Sequence, residues 1–138
     1  MRKLMIFCVV FLACSSRPDP KDTVFAFIEA VMVSDSLGVI KNLDIDTYVT
    51  ARMAEMSPED SAIVLAESRD KTIRSLLGEG PTRLRWMNQQ ILVNESFESD
   101  STAEVEVSFI DRTIDHMVYT KMQLKLQPDN SWKIVYFQ

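Results

Sequence analysis

The sequence predicts an α+β domain in which N-terminal helices pack on an antiparallel sheet of about four strands. Helix-start signals stand at Asp19-Pro20 and Ser57-Pro58, and apolar residues follow each of them at the spacing of a helix. From Thr82 onward the spacing changes to an alternation of apolar and polar residues, which is typical of half-buried strands. A chain of 138 residues, 46% of them hydrophobic, is of the size that builds one such core.

The first predicted helix begins with Asp19 as its N-cap and Pro20 at its first position. Aspartate is favoured there because its side chain accepts a hydrogen bond from the first turn, and proline lacks a donor that would be unsatisfied at that position. The helix is predicted to end near Ser34-Asp35. Its apolar face is made by Val24, Phe27, Ile28 and Val31, and Phe25 and Met32 widen it.

Further helices are predicted between this helix and the sheet. A short one covers Leu37 to Leu43, and residues 44–56 are ambiguous between helix and loop. The next begins at Ser57-Pro58. It ends at Gly78, Gly80 and Pro81, because glycine adopts the left-handed conformation that closes a helix and proline cannot continue one.

Four strands are predicted from the alternating segments. They cover Leu84–Glu98, Ala103–Phe109, Val118–Leu126 and Trp132–Phe137. The apolar faces of the second and third strands are predicted at Ala103, Val105, Val107 and Phe109 and at Val118, Met122, Leu124 and Leu126. Asparagine, aspartate and proline at residues 128–131 predict the last turn.

The N-terminus predicts export. Residues 1–13 carry Arg2 and Lys3 and then an uninterrupted apolar run, about half the 20 residues that a membrane-spanning helix needs. We therefore interpret residues 1–13 as a signal peptide, residues 14–18 as a lipidated tether and residues 19–138 as the folded domain.

Residues Phe11-Leu12-Ala13-Cys14 resemble the lipobox of bacterial lipoproteins. The resemblance implies that Cys14 is acylated, that cleavage precedes it, and that the protein is held on a membrane by two or three acyl chains such as palmitate, enough for stable anchoring. Ser15 resembles the next residue of lipoproteins sent to the outer membrane, which implies its periplasmic side if the organism has one. The alternative is an ordinary secreted protein.

Composition excludes several classes of function. The net charge is −5, and it becomes −7 once Arg2 and Lys3 leave with residues 1–13. An acidic chain without a cationic stripe does not favour a nucleic-acid partner. Only Cys8 and Cys14 are present, so no disulfide is expected in the domain. We expect neither a metal nor another cofactor, since no ligand spacing is recognisable and three glycines cannot build a phosphate loop.

The order of helices and strands, with the opening residues 19–30 and the closing Leu124-Lys125-Leu126 and Ser131-Trp132-Lys133-Ile134, resembles small exported lipoproteins of the nuclear-transport-factor-two-like superfamily. The similar group carries a lumazine-binding-like label. The resemblance implies a cone, in which a curved sheet wraps a helix and can leave an apolar cavity. Its expected interior, and thus a candidate ligand-binding site, is Phe27, Val31, Phe109, Met122 and Trp132.

His116 is the sole histidine and so the sole candidate imidazole base. A general base also needs a positioned partner, and none is recognisable in the sequence. We therefore interpret His116 as structural and expect no catalytic residue.

Four aspartates invite comparison with the ketosteroid-isomerase pattern of that superfamily, in which a carboxylate abstracts a proton inside the cone. They are Asp44, Asp46, Asp111 and Asp115. Asp44 and Asp46 are the nearest equivalents, but the pattern also needs a tyrosine where the first helix has Phe25 and Phe27. Caps and turns are the favoured interpretation.

The sequence thus predicts a membrane-anchored, non-enzymatic module of the cell envelope. Its expected partners are the membrane, through lipid on Cys14, and a small apolar ligand or an envelope protein. Two alternatives stay open: an isomerase- or dehydratase-like enzyme that uses the cone cavity, and a purely structural lipoprotein.

Overall fold

The structure, a computed structural model, describes residues 17–54 and 61–138. Its helices are α1 (Pro20–Met32), α2 (Ser36–Asn42), α3 (Ile45–Ala54), α4 (Ser61–Leu76) and α5 (Pro81–Met87). Its strands are β1 (Gln90–Glu98), β2 (Thr102–Asp111), β3 (His116–Leu126) and β4 (Trp132–Tyr136). No helix in these two ranges combines the length and the apolar content needed to cross a bilayer.

The sheet is an antiparallel meander in the order β1-β2-β3-β4, and the helices cover one of its faces. Register shifts occur between Val93 and Ser96 on β1 and between Gln123 and Leu124 on β3. Such bulges bend a strand and increase its twist, which gives the sheet its curvature. The predicted α+β class, with N-terminal helices on a curved sheet of four strands, is confirmed.

α1 begins as the sequence predicts. The Asp19 carboxylate accepts a hydrogen bond from the Lys21 backbone N–H at 2.9 Å, and Pro20 occupies the first turn. Val24, Phe27 and Val31 are fully buried against the sheet, but Phe25, predicted to widen the apolar face, is 55% exposed. The 3.6-residue period therefore identified the centre of the buried face, and Phe25 lies outside it.

The predicted short helix is present as α2, and it packs through Val39 with two large apolar side chains on its outer side. Leu37 is 78% exposed and Ile40 is 51% exposed, while Val39 is buried. The cause is the close approach of α2 to α1 at Gly38, where an added Cβ would lie 2.8 Å from the Ala30 Cβ. α2 therefore packs on α1 through Gly38, and Leu37 and Ile40 lie on its solvent side.

Residues 45–54, which the sequence left ambiguous, form α3. Asp44 caps the helix, because its carboxylate accepts from the Thr47 backbone N–H at 3.1 Å and from the Thr47 hydroxyl at 2.8 Å. The Asp44 backbone N–H donates to the Ile134 carbonyl at 2.8 Å, which joins this helix start to β4.

α4 is described from Ser61 onward, and the predicted start signal at Ser57-Pro58 lies outside the described residues. The predicted end is confirmed. Gly78 has a φ of +56°, the left-handed conformation expected after a helix. Its backbone N–H donates to the Ser34 hydroxyl at 2.8 Å, so the end of α4 contacts the end of α1.

The prediction of a strand from Leu84 is wrong, since residues 81–87 form α5 and β1 begins at Gln90. Gly80-Pro81 ends one helix and also starts the next, with Pro81 at the first position. Gly80 is required sterically because an added Cβ would lie 2.1 Å from the Arg74 carbonyl oxygen. Arg83 then fixes α5 on α1: its guanidinium donates to the Met32 carbonyl at 2.8 Å.

The core is centred on five aromatic rings, which we call the aromatic cluster: Phe27, Tyr48, Trp86, Phe109 and Phe137. Ring centroids lie 6.0 Å apart for Phe27–Trp86, 5.6 Å for Phe27–Phe137, 5.3 Å for Trp86–Phe109 and 4.8 Å for Tyr48–Phe137. Offset and edge contacts of this kind add about 0.5–1.5 kcal/mol per pair beyond burial. The cluster therefore joins α1, α3, α5, β2 and the residues after β4.

Val118, predicted on the buried face of β3, is 45% exposed. β4 pairs with β3 only over Gln123–Leu126. Residues 116–122 of β3 consequently have β2 on one side and no paired strand of the described chain on the other. We call residues 116–122 the open edge of β3. The alternation was correct there, but the sheet extends beyond its covering helices.

We expect Phe27→Ala to lower the free energy of unfolding by about 3 to 5 kcal/mol, because it removes a ring that touches Trp86 and Phe137 and leaves a cavity. Phe25→Ala, on the exposed face of the same helix, is the matched control and should cost less than about 1 kcal/mol. Denaturant unfolding of the full chain measures both. Equal losses in the two variants would contradict a core built on Phe27.

Candidate functional site

Two clefts open to solvent at the rim of the aromatic cluster. The first, which we call the helix cleft, lies between α3, α4 and α5 and has a volume of about 490 Å³. The second, the strand cleft, lies between α5 and the open edge of β3 and has a volume of about 550 Å³. Arg85 and Gln138 line both, so the clefts adjoin. Volumes of this size suit a small organic molecule.

The helix cleft has an aromatic floor and polar walls. Tyr48 and Phe137, stacked with their centroids 4.8 Å apart, lie at the floor. Arg52 of α3 donates to the Tyr48 hydroxyl at 2.9 Å, which orients its guanidinium along the wall. On the opposite wall the hydroxyls of Ser75 and Thr82 share a hydrogen bond of 2.6 Å between α4 and α5.

The strand cleft has one apolar wall and one wall made by a strand. Trp86 and Phe109 form the apolar wall, with both rings at least nine-tenths buried. The other wall is β3 from Val118 to Gln123, where residues of both sheet faces reach the cleft because β4 has ended. Lys121 stands on this wall and pairs with Glu104 at 3.4 Å.

The described lining of the clefts is cationic although the protein is acidic. Four cations stand among these described residues: Arg52, Lys71, Arg85 and Lys121. Among the described residues that line either cleft there is no aspartate or glutamate. The chain as a whole has 20 acidic and 15 basic residues. The separation of charge is therefore local to this end of the molecule.

The residues predicted to line a cone interior are all buried. Phe27, Val31, Met122 and Trp132 belong to the core and border neither cleft, whereas Phe109 lines the strand cleft. The two clefts lie outside this buried group, at the rim of the cone.

Trp132 is also covered from outside by the end of the predicted tether. Its indole N–H donates to the Pro18 carbonyl at 2.9 Å, and the Arg17 guanidinium carbon lies 4.5 Å from the centroid of its ring. Arg17 also donates to the Ser99 carbonyl at 3.1 Å. Residues 17 and 18 thus lie against the end of the sheet that is opposite the clefts.

His116 is exposed at the first position of β3, opposite Asp111 of β2, and lines neither cleft. This position offers it no enclosed reaction site. No group of three or more histidine, cysteine, aspartate or glutamate side chains suited to a metal occurs within residues 17–54 and 61–138.

The four aspartates compared with the isomerase pattern lie at caps and turns or on the surface. Asp44 caps α3, and Asp46 pairs with Arg69 of α4. Asp111 accepts from the Thr113 backbone N–H at 2.9 Å, and Asp115 has a φ of +48° in the same turn. None of the four lines a cleft.

Sequence reasoning missed Arg85 and placed Trp86 on a strand. Both errors have one cause, the assignment of residues 84–98 to a single long strand. The signal that identifies α5 was present, because Gly80-Pro81 is a helix start as well as a helix end. Lys71 and Arg52 could not be singled out, since charges at helical spacing are typical of any solvated face.

No family model matches the chain, and no curated protein matches it. Among solved structures the chain is similar to a Campylobacter jejuni protein provisionally named an NTF2-like transpeptidase. The alignment covers 88% of this chain and 100% of that one, with 16% identity and a TM-score of 0.44. The architecture described above rests on this chain's own helices and sheet, and the transpeptidase name belongs to the Campylobacter protein.

Proposed function

We propose that the chain is a membrane-anchored, non-enzymatic lipoprotein that binds a small molecule in the helix and strand clefts. The observation that carries the proposal is the pair of adjoining clefts of about 490 and 550 Å³ on the aromatic cluster. Small-molecule sites are concave, of this size, and combine aromatic walls with a few polar groups. The exposed position of His116, outside both clefts, supports binding over catalysis.

The anchor is proposed from the sequence Phe11-Leu12-Ala13-Cys14, which lies outside the described residues. The position of Arg17 indicates which end of the domain such an anchor would hold. Only three residue steps separate Cys14 from Arg17, and these span at most about 11 Å. Because Arg17 contacts Trp132 and Ser99, a lipid on Cys14 would hold that end of the sheet near the bilayer.

This arrangement leaves the clefts accessible. β3 runs from Leu126, opposite Trp132, to Val118 in the strand cleft. Eight residues of strand cover about 26 Å. The clefts would therefore face away from the membrane that the lipid enters, toward solutes in the envelope.

A second candidate is an accessory protein-interaction module, which the open edge of β3 favours. An unpaired strand edge presents backbone donors and acceptors to an extended peptide. Its wall residues Val118, Tyr119 and Tyr136 would contact the side chains of that peptide. Native mass spectrometry of the protein purified from its envelope distinguishes the candidates: a retained small molecule supports the first, and a retained polypeptide supports the second.

We expect the full chain, expressed in a bacterium that processes lipoproteins, to enter the membrane fraction. Its intact mass should lack residues 1–13 and include a diacylglyceryl group, because Cys14 follows the lipobox-like residues. Cys14→Ser should abolish the lipid adduct. Cys8→Ser is the matched control, since it changes a thiol that cleavage removes. A processed, unmodified, soluble protein would contradict the anchor.

We expect aromatic probes to bind beside Trp86. The protein has two tryptophans, so the indole N–H signals of Trp86 and Trp132 in an NMR spectrum report the cleft and the opposite end separately. Naphthalenesulfonate or neutral naphthalenesulfonamide, added to the lipidated protein in detergent, should shift the Trp86 signal with saturation and leave that of Trp132 in place.

Val118→Phe should weaken this binding about tenfold, because the larger side chain enters the strand cleft. Met117→Phe is the matched control, since Met117 is similarly exposed, lies on the other face of β3 and lines neither cleft. If neither probe shifts the Trp86 signal, the ligand-binding proposal fails and the interaction module takes its place.

A further inference from the structure

We infer that the ligand of the two clefts is a small amphipathic anion, whose acidic group lies at Arg85 and Lys71 and whose apolar body lies on Trp86 and Phe109. The inference rests on the proposed binding function and specifies its substrate class. It departs from the expectation of a purely apolar ligand, because the room for a ligand is at the charged rim of the core.

The described lining of the helix cleft carries positive charge. Arg52, Lys71 and Arg85 line the helix cleft, and its described lining has no acidic side chain. The like charges of Lys71 and Arg85 on one concave surface raise the local concentration of anions and disfavour cations. In a protein of net charge −5, such a surface is unlike the average of the molecule.

Two of the cations in the clefts have hydrogen-bond donors that a ligand can use. The side chains of Arg85 and Lys71 form no hydrogen bond and no ion pair with any residue in the described part of the chain. Lys121, in contrast, pairs with Glu104 at 3.4 Å, and Arg52 donates to the Tyr48 hydroxyl at 2.9 Å. Arg85 and Lys71 therefore keep their donors for an incoming group.

The position of Arg85 places the acidic group of the ligand where the two clefts adjoin. Arg85 lines both clefts, so a group that it binds lies at their junction. A guanidinium holds a carboxylate, sulfonate or phosphate through two parallel N–H bonds, and a lysine adds a point charge. The hydroxyls of Ser75 and Thr82 line the same wall of the helix cleft and supply further hydrogen-bonding groups.

The strand cleft accommodates the apolar half of the ligand. From Arg85 the strand cleft continues along the Trp86 and Phe109 rings, whose centroids lie 5.3 Å apart. Burial of an apolar body on this wall contributes roughly 25 cal/mol for each Å² removed from water. A ligand with both halves fits the pair of clefts, whereas an inorganic anion uses only one of them.

Naphthalenesulfonate and naphthalenesulfonamide test the inference because they differ in charge and share their rings. Each is titrated into the full lipidated chain in detergent, and the Trp86 indole shift gives the dissociation constant while the Trp132 signal reports the fold. We expect the anion to bind about tenfold tighter than the neutral compound, and to weaken as salt is raised. Inorganic phosphate should compete only weakly, because it lacks the apolar body.

Arg85→Gln and Lys71→Gln should each weaken the anion several-fold and leave the neutral compound unchanged, and Arg85→Lys should restore part of the loss. Arg74→Gln is the matched control, since Arg74 is exposed on the same helix as Lys71 and lines neither cleft. Equal binding of both compounds, or an anion affinity that survives Arg85→Gln and Lys71→Gln together, would overturn the anionic class and leave ligand binding itself intact. Absence of any shift would overturn both.

Discussion

The contact of Phe27 with Trp86 and Phe137 is the interaction on which the rest of the structure depends. Phe27 comes from α1, Trp86 from α5, and Phe137 follows β4, so three distant parts of the chain meet at one fully buried ring. Each contact joins residues that are far apart in the sequence. Each therefore fixes the position of an element that the local sequence pattern does not determine. The position of α5 follows from it, and so does the inward turn of the chain after Tyr136.

That inward turn creates the clefts. Because Phe137 enters the aromatic cluster, β4 stops pairing at Gln123 of β3 and leaves the open edge of β3 beside α5. Trp86 and Phe109 pack against each other with their centroids 5.3 Å apart, and the strand cleft lies against them at the rim. Arg85 stands next to Trp86 on α5 and so comes to lie between the clefts. The same packing thus places a cation at the mouth of the cone.

The sequence predicted what local chemistry determines. The cap of α1 at Asp19 and the alternation of Val105 and Val107 on β2 depend on neighbours in the chain, and both are confirmed. Prediction from the sequence failed where packing between distant elements determines the structure. Leu37 and Ile40 of α2 are exposed because the helix packs on α1 through Gly38, which approaches Ala30. Arg85 and Trp86 were missed because one Gly-Pro pair acts as both a stop and a start. The cations of the clefts come from α3, α4, α5 and β3, which meet only in the folded chain.

We expect the interior of the cone to be filled, with the space for a ligand at its rim. Xenon under pressure enters dry apolar cavities of a protein crystal and is visible in the diffraction data. The account predicts no xenon enclosed among Phe27, Val31, Met122 and Trp132, with any bound atom in the strand cleft against Trp86 and Phe109. A xenon atom enclosed behind Phe27 would contradict it, because it would reveal an interior cavity and return the candidate site to the centre of the cone.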